Sequence, residues 1–328
     1  MSEFIREVSQ ASDVEAFFAV PAIVYRGDSS YCAPFKQSVK ESLFRAEFTG
    51  QQAILVADVK GQPAARVVAR ISPSLKDPSG KPIGMLGFFE AINCPSTVSA
   101  MLARAVDFLA RHGVGMIIGP MDGDTWHKYR FNVGPFDSPP FLMEPYNPPY
   151  YADLWTTQGF EPLESYFSKV VDDAAVAAAN TERLAQRARS HGYALRPIRM
   201  DRFDDELTIM YSLSKRIFAH NFLYTDISRE DFFSLYTASR QILDPDFVWF
   251  IQSRTGEDVG FVFAFPDHFR AMATMHGSRG LLDIARFLWF KRRTDTLNIK
   301  SLGVVPEHQR TGAAMALMNA IYLSLIHI

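Results

Sequence analysis

Hydrophobic and polar positions follow the same plan twice along this chain. In the first half, AILVADVKGQPAARVVARI, Ala53 to Ile71, reads as two β-rich runs folded back at Gly61. DFVWFIQSRTGEDVGFVFAF, Asp246 to Phe265, does the same around Gly256. Each predicted hairpin is followed by another β-rich run and then by helical periodicity: GMLGFFEA precedes STVSAMLARAVDFLARHG, and LNIKSLGVV precedes GAAMALMNAIY. Repetition of a whole strand, strand, strand, helix order predicts an α/β chain of the α+β type, with two tandem domains, each a mixed, mostly antiparallel sheet flanked by helices.

The copies differ in spacing. From the turn glycine to the glycine of the next strand is 26 residues in the first half (Gly61 to Gly87) and 47 in the second (Gly256 to Gly303). The excess falls on SRGLLDIARFLWFKRRT, which predicts an inserted amphipathic helix. Leu281, Leu282, Ile284, Ala285, Leu288 and Trp289 form its apolar side, and Arg286, Lys291, Arg292 and Arg293 its basic side. Such a stripe is expected to face a core or a dimer partner, with a lid or an interfacial helix as alternatives. Between the halves, DDAAVAAANTERLAQRARSHG is rich in strong helix formers and closes on glycine, which places a linking helix over 173–193. The domains are thus expected at 1–172 and 194–328. Two further helical segments, DELTIMYSLSKRIFAH and SREDFFSLYTASRQIL, precede the second hairpin, the latter with Ser228 and Asp231 spaced as a capping box.

Composition narrows the function. Of 328 residues 48% are hydrophobic, enough for two cores. With 34 Lys and Arg against 36 Asp and Glu there is no cationic footprint for nucleic acid. Cys32 and Cys94 form no CxxC, and the start MSEFIREVSQ has no apolar leader core, so a reducing, cytoplasmic setting without structural zinc is expected. No run reaches the roughly 20 apolar residues of a membrane span. The most apolar tract, Met315 to Ile328, is interrupted by Asn319, Ser324 and His327 and predicts a buried helix.

The chemistry concentrates in LGVVPEHQRTGAAMALMNAIY, Leu302 to Tyr322. A strand that enters a helix through a tight turn leaves the first helical N–H groups unpaired, and these, with the helix dipole, form an anion site. Small residues at Gly312, Ala313 and Ala314 let a pyrophosphate approach the main chain, and Gln309 and Arg310 add donors. The plainer alternative is that Gly312 is only a turn and the alanines only helix formers. Neither GxGxxG nor GxxxxGK[ST] occurs here.

Val304 to Ala314, with Gln309-Arg310-Thr311-Gly312-Ala313-Ala314, resembles motif A of the GNAT acyltransferase superfamily, which reads Q/R-x-x-G-x-G/A. The resemblance implies acetyl-CoA or another acyl-CoA as co-substrate and no metal. Leu302, Gly303, Val304 and Val305 would align the pantetheine and polarise the thioester carbonyl, and Gln309, Arg310, Thr311, Gly312, Ala313 and Ala314 would hold the pyrophosphate. In the first half NPPYYADLWTTQGFEP is similar to the late segment of a GNAT domain, matching at Gly159 and Phe160. Together with VYRGDSSYCAPF, GFFE, GPM and PYNPPYY, it resembles a bacterial group of tandem GNAT-like proteins over nearly the whole chain.

Two departures follow. INCPSTVSA replaces the phosphate turn in the first half, and Trp155 stands where the family often has an acid tyrosine, so the first copy is expected to be non-catalytic. Tyr150 and Tyr151 are expected to wall a cleft more than to replace that acid. The second copy lacks the later elements of the fold, and a truncated reading frame whose closing LSLIHI is foreign is expected, which leaves the catalytic acid unnamed. FAHNFLYTD supplies His220, Asn221 and Tyr224 as acceptor-side residues, against a capping or packing role, and Asn298 and Lys300 share a strand face. Asp122-Gly123-Asp124 reads as a loop turn before a metal DxD, and neither HExxH nor GxSxG is found. The expected activity is acyl-CoA-dependent N-acyl transfer to a small-molecule or peptide amine. An aminoacyl or long-chain transferase of the tandem type and a non-catalytic CoA-binding scaffold are the alternatives.

Overall fold

The computed structural model describes residues 3–237, 240, 243–291 and 294–327. Arg292, Arg293, Ile328 and part of the TASRQIL helical expectation therefore lie outside the described residues. The chain divides into two compact units, residues 1–164 with 268–293, and 165–267 with 294–328.

The first unit runs β1 (Glu3–Glu7), α1 (Ala11–Val24), α2 (Lys36–Leu43), β2 (Gln52–Val59), β3 (Gln62–Lys76), β4 (Pro82–Ala91), α3 (Pro95–Arg111), β5 (Met116–Ile118) and α4 (Tyr151–Thr156). Its sheet has the order β1-β2-β3-β4-β5, antiparallel except for the parallel β4–β5 pair. The expected turn joins β2 and β3, with Lys60 at φ 53° and Gly61 at φ 74°, the backbone a two-residue hairpin needs to match strand twist. Strands here are apolar without alternation because both faces are covered. Leu55 and Val67 pack with Met101, Leu102 and Trp155 on one side, while their neighbours Ile54 and Val68 meet Phe17 on the other.

From Ser165 the order is α5 (Ala174–Ser190), β6 (Ala194–Pro197), α6 (Phe203–Phe218), α7 (Arg229–Thr237), β7 (Val248–Gln252), β8 (Asp258–Pro266), α8 (Phe269–Ala273), α9 (Leu281–Lys291), β9 (Leu297–Val304) and α10 (Ala313–His327). The second sheet, β6-β7-β8-β9, is antiparallel throughout. The Ala-rich stretch expected as a linker is α5, capped by Asp173 on the Val176 N–H at 2.9 Å, and it belongs to the second unit. Ala178, Ala185 and Ala188 are buried, and their small side chains let α5 lie close along α10. Asn319, which interrupts the apolar tract, is buried there and donates to the Ala178 carbonyl at 2.9 Å and Thr181 Oγ1 at 3.1 Å.

The inserted segment joins the first unit instead. Arg279 lies over the Phe35 ring at 4.2 Å, and Gly277 comes so near the main chain that a Cβ would stand 2.7 Å from the Pro34 carbonyl oxygen. The predicted helix is α9, but its apolar stripe does not face a core: Leu281, Leu282, Ile284, Leu288 and Trp289 are exposed, while Phe287 points inward near His268.

Candidate functional site

β9 is the edge strand of its sheet, paired on one side with β8. The register shifts between Phe263↔Ser301 and Ala264↔Ile299, where β9 takes up one extra residue, Lys300, so the strand twists before Leu302. Past Val304 the chain turns at Pro306–His308, with Arg310 at φ 61° and Gly312 at φ 96°, and enters α10. Thr311 holds the turn: its hydroxyl donates to the His308 carbonyl at 2.8 Å and accepts from the Ala313 N–H at 3.3 Å. The first helical bond is Ala316 N–H to Gly312 O at 2.9 Å. Among the described residues, the N–H groups of Ala314 and Met315 meet no acceptor, the condition that makes a helix start attract an anion.

These amides border a cleft of about 650 Å³ that lies wholly within the second unit. Strand residues Leu302, Gly303 and Val304 form one wall. The turn supplies His308, Gln309, Arg310, Gly312, Ala314 and Met315; Ile217, Phe218 and Asn221 close the α6 side, and Leu184 comes from α5. Tyr193 and His308 Nδ1 are 2.7 Å apart, which steadies the turn.

Thus seven of the ten expected donor-site positions line the cleft, with Asn221 from the acceptor-side group. The others face elsewhere. Val305 is buried with its N–H on Val259 O at 2.9 Å, Ala313 is buried beneath the turn, and Thr311 serves the turn itself. His220 is exposed, and Tyr224 is raised to about 12 by burial and the Asp226 charge, with its hydroxyl 3.4 Å from Asp226. Asn298 is buried and Lys300 exposed. Leu184, Ile217, Phe218 and Met315 were not legible as site residues, since apolar side chains carry no motif. Gly312 has a second reason to be glycine: a Cβ there would stand 2.4 Å from the Leu184 carbonyl oxygen of α5. The smallness read as room for a ligand is also room for a helix.

The equivalent region of the first unit is filled. β4 bulges where Arg66↔Glu90 and Val68↔Gly87 leave Phe88 and Phe89 opposite Val67, with Phe88 at φ 52°. The Phe88 N–H donates to the Asp122 carboxylate at 2.6 Å, and buried Arg70 donates to the Asp122 carbonyl at 2.6 Å. Asp124 bonds the Trp126 N–H and His127, so the two aspartates of the DGD stretch serve the loop that covers β4. Trp155 packs against Phe89, Phe131 and Phe160. Tyr151 donates to Glu90 and accepts from the Ala91 N–H, both at 2.8 Å, while Tyr150 donates to the Ala91 carbonyl at 2.9 Å. Burial and the Glu90 charge raise the Tyr151 hydroxyl well above its ordinary value and Tyr150 to about 12. Both tyrosines are fastened to the end of β4.

Superposition on solved structures matches 99% of the chain to a GCN5-related glucosamine N-acetyltransferase region of a fungal multi-domain β-N-acetylglucosaminidase, at a TM-score of 0.50 and 13% identity. The fold is that of a GCN5-related N-acetyltransferase. The chain spans about a third of that fungal protein, 34% of its length. Two curated proteins are similar along most of the GNAT-fold chain. Protein YghO of Escherichia coli K12 is 25% identical over 326 residues, 96% of this chain and 82% of its own. The bacterial ceramide synthase of Caulobacter vibrioides is 22% identical over 287 residues, 86% of this chain and 74% of its own. No family model matches. Among the described residues no helix is long and apolar enough to cross a membrane, and no group of three or more His, Cys, Asp or Glu is placed to hold a metal.

Proposed function

We propose that the chain is an acyl-CoA-dependent N-acyltransferase whose donor site is the cleft of the second unit. The observation that carries this reading is the pair of acceptor-free amides, Ala314 and Met315, opening onto that cleft at the end of an edge strand. A diphosphate there would take hydrogen bonds from these N–H groups and from the Gln309 and Arg310 side chains, along the positive end of the α10 dipole. The unpaired side of β9 offers N–H and C=O groups to an amide-bearing pantetheine arm, as an added strand would use them. An N–H of the Leu302–Val304 stretch is then placed to polarise the thioester carbonyl. The acceptor amine attacks that carbon, the C–S bond breaks, the thiolate leaves, and the amine loses a proton. Rate enhancement comes from alignment and from fixed dipoles. A cytoplasmic setting and a small-molecule or peptide amine complete the reading.

A second reading takes a long-chain acyl donor, in the tandem transferase class. Leu184, Ile217, Phe218, Leu302 and Met315 give the cleft apolar walls, and similarity to a protein named a ceramide synthase, hence the maker of an N-acylated long-chain amine, favours it.

Calorimetry with CoA, acetyl-CoA and a long-chain acyl-CoA tests the site. Substituting Gly312 is uninformative, because φ 96° and the Leu184 carbonyl penalise any side chain there. Ala314→Glu puts a carboxylate among the amides and is expected to weaken CoA at least 100-fold while leaving the melting temperature nearly unchanged. Unaltered affinity removes the assignment. Binding without acyl transfer to any amine tried would leave a CoA-binding scaffold in its place.

A further inference from the structure

α9 presents the reverse of an ordinary surface helix. At 100° per residue, Leu281, Leu282, Ile284, Ala285, Leu288 and Trp289 share an arc of roughly 160°, and this arc is the one turned to solvent. Leu281 is 87% exposed, Leu282 75%, Leu288 58% and Trp289 66%. The half-buried side carries Phe287, Asp283 and Lys291. Scattered apolar side chains on a surface need no explanation, but a contiguous helical stripe of large ones marks an interaction face.

The charges choose among occupants. Arg279, Arg286 and Lys291 stand against the single anion Asp283 in this stretch, although the whole chain carries a net charge of −2. A second copy docked about a two-fold axis would set this stripe and its cations against themselves. An anionic lipid surface answers both features: the apolar arc sinks to the acyl boundary, cations meet headgroup phosphates, and an indole such as Trp289 prefers that boundary. At 11 residues, about 16 Å long, the helix can lie in an interface but not cross it.

We infer that α9 is a membrane-surface anchor that docks the protein on anionic lipid. This is independent of the donor-site reading, since α9 shares no residue with the cleft. The test is sedimentation of the full chain with vesicles of phosphatidylglycerol and phosphatidylcholine, and with phosphatidylcholine alone, while Trp289 emission is followed against a Trp289→Phe control. The expected result is binding that depends on phosphatidylglycerol, falls with salt, blue-shifts the emission of the wild type and not of the control, and drops at least tenfold in Leu288→Ser/Trp289→Ser and in Arg286→Glu/Lys291→Glu. Leu288, Trp289 and Arg286 are exposed and Lys291 is half-buried at the edge of the stripe, so CoA affinity should match the wild type in both, and melting temperature in the double-serine variant. Failure to sediment with either vesicle overturns the inference, as does equal binding by the double-serine variant. A dimer in lipid-free buffer that this variant dissolves also overturns it, assigning the face to a second copy.

Discussion

β4 and β9 are the fourth strands of two sheets built in the same order, yet they end in opposite circumstances. β4 is buried along nearly its whole length, hydrogen-bonded to β3 and β5, and its bulge amide at Phe88 is taken by Asp122. β9 has one neighbour, is half-exposed, and runs into a turn whose first helical amides face a cleft. The same layers can carry different sites, which is why an activity must be argued from the site. In the first unit the same strand end has become an internal joint.

Adding one methyl to each strand sharpens the contrast most. At Gly87 a Cβ would stand 2.3 Å from the Met121 carbonyl oxygen and 2.8 Å from Asp122 Cα, main-chain atoms of a loop held by Arg70 at the Asp122 carbonyl and by the Met121 N–H on Leu86 O. At Gly303 it would stand 2.3 Å from Ile217 Cγ2, a β-branch methyl of a side chain that borders the cleft and not a main-chain atom. Gly87→Ala is therefore expected to cost about 3 kcal/mol in urea unfolding, at the upper end of overpacking, and Gly303→Ala about 1 kcal/mol. Gly303→Ala should also weaken CoA several-fold, because Ile217 yields into the cleft. Equal costs for the two would mean that the first unit's strand end is as open as the second's.

The hairpins were legible because a tight turn needs a residue at positive φ, and glycine at 61 and 256 announces it in both although the two loops differ in length. The layer order was legible because both units carry it. What was not legible is partnership. Ala-rich α5 shows no apolar stripe to declare that it has a partner, and only coordinates set Leu184 O against Gly312. The periodicity of 281–289 foretold a helix with two faces but not which face turns inward; Phe287, on the side the pattern assigns to no face, decides it. At the site, the turn and strand were readable as a motif, whereas Ile217, Phe218 and Leu184 reach the cleft through tertiary packing alone.

Removing the plug is the next test in order of size. Asp122→Ala leaves the Phe88 N–H buried without its acceptor, which costs about 2 kcal/mol. Phe88 already sits at φ 52°, uncommon for a bulky residue, so the loop over β4 should loosen first and the Phe88 amide should exchange hydrogen faster than in the wild type. Unchanged stability and exchange would show that Asp122 does not hold the bulge.

The two units also share a device that sequence spacing hid. In the first, Arg6 of β1 pairs with Asp13 in the first turn of α1 and with Asp58 of β2, at 2.7 and 2.5 Å. In the second, Arg196 of β6 pairs with Glu206 in α6 and with Asp258 of β8, at 2.6 Å each, and Arg199 adds a further pair to Glu206. Each cluster ties the first strand to the helix after it and to the hairpin beyond. The Arg6 hydrogen bond, aided by the Ser9 and Gln10 N–H groups and opposed by burial, holds Asp13 below its ordinary 3.8. A carboxylate with a depressed folded pKa stabilises the native state above its unfolded pKa, and that contribution fades as pH falls toward the folded one. Asp13→Asn should thus lower the melting temperature at pH 6 to 7 by a few degrees, with the gap to the wild type closing below about pH 4. A gap that stays constant across this range would assign the loss to α1 capping rather than to charge. In the second unit Glu206 has two arginines, so single replacement of Arg199 should have a smaller effect than replacement of Arg196, the only one of the two that also reaches Asp258.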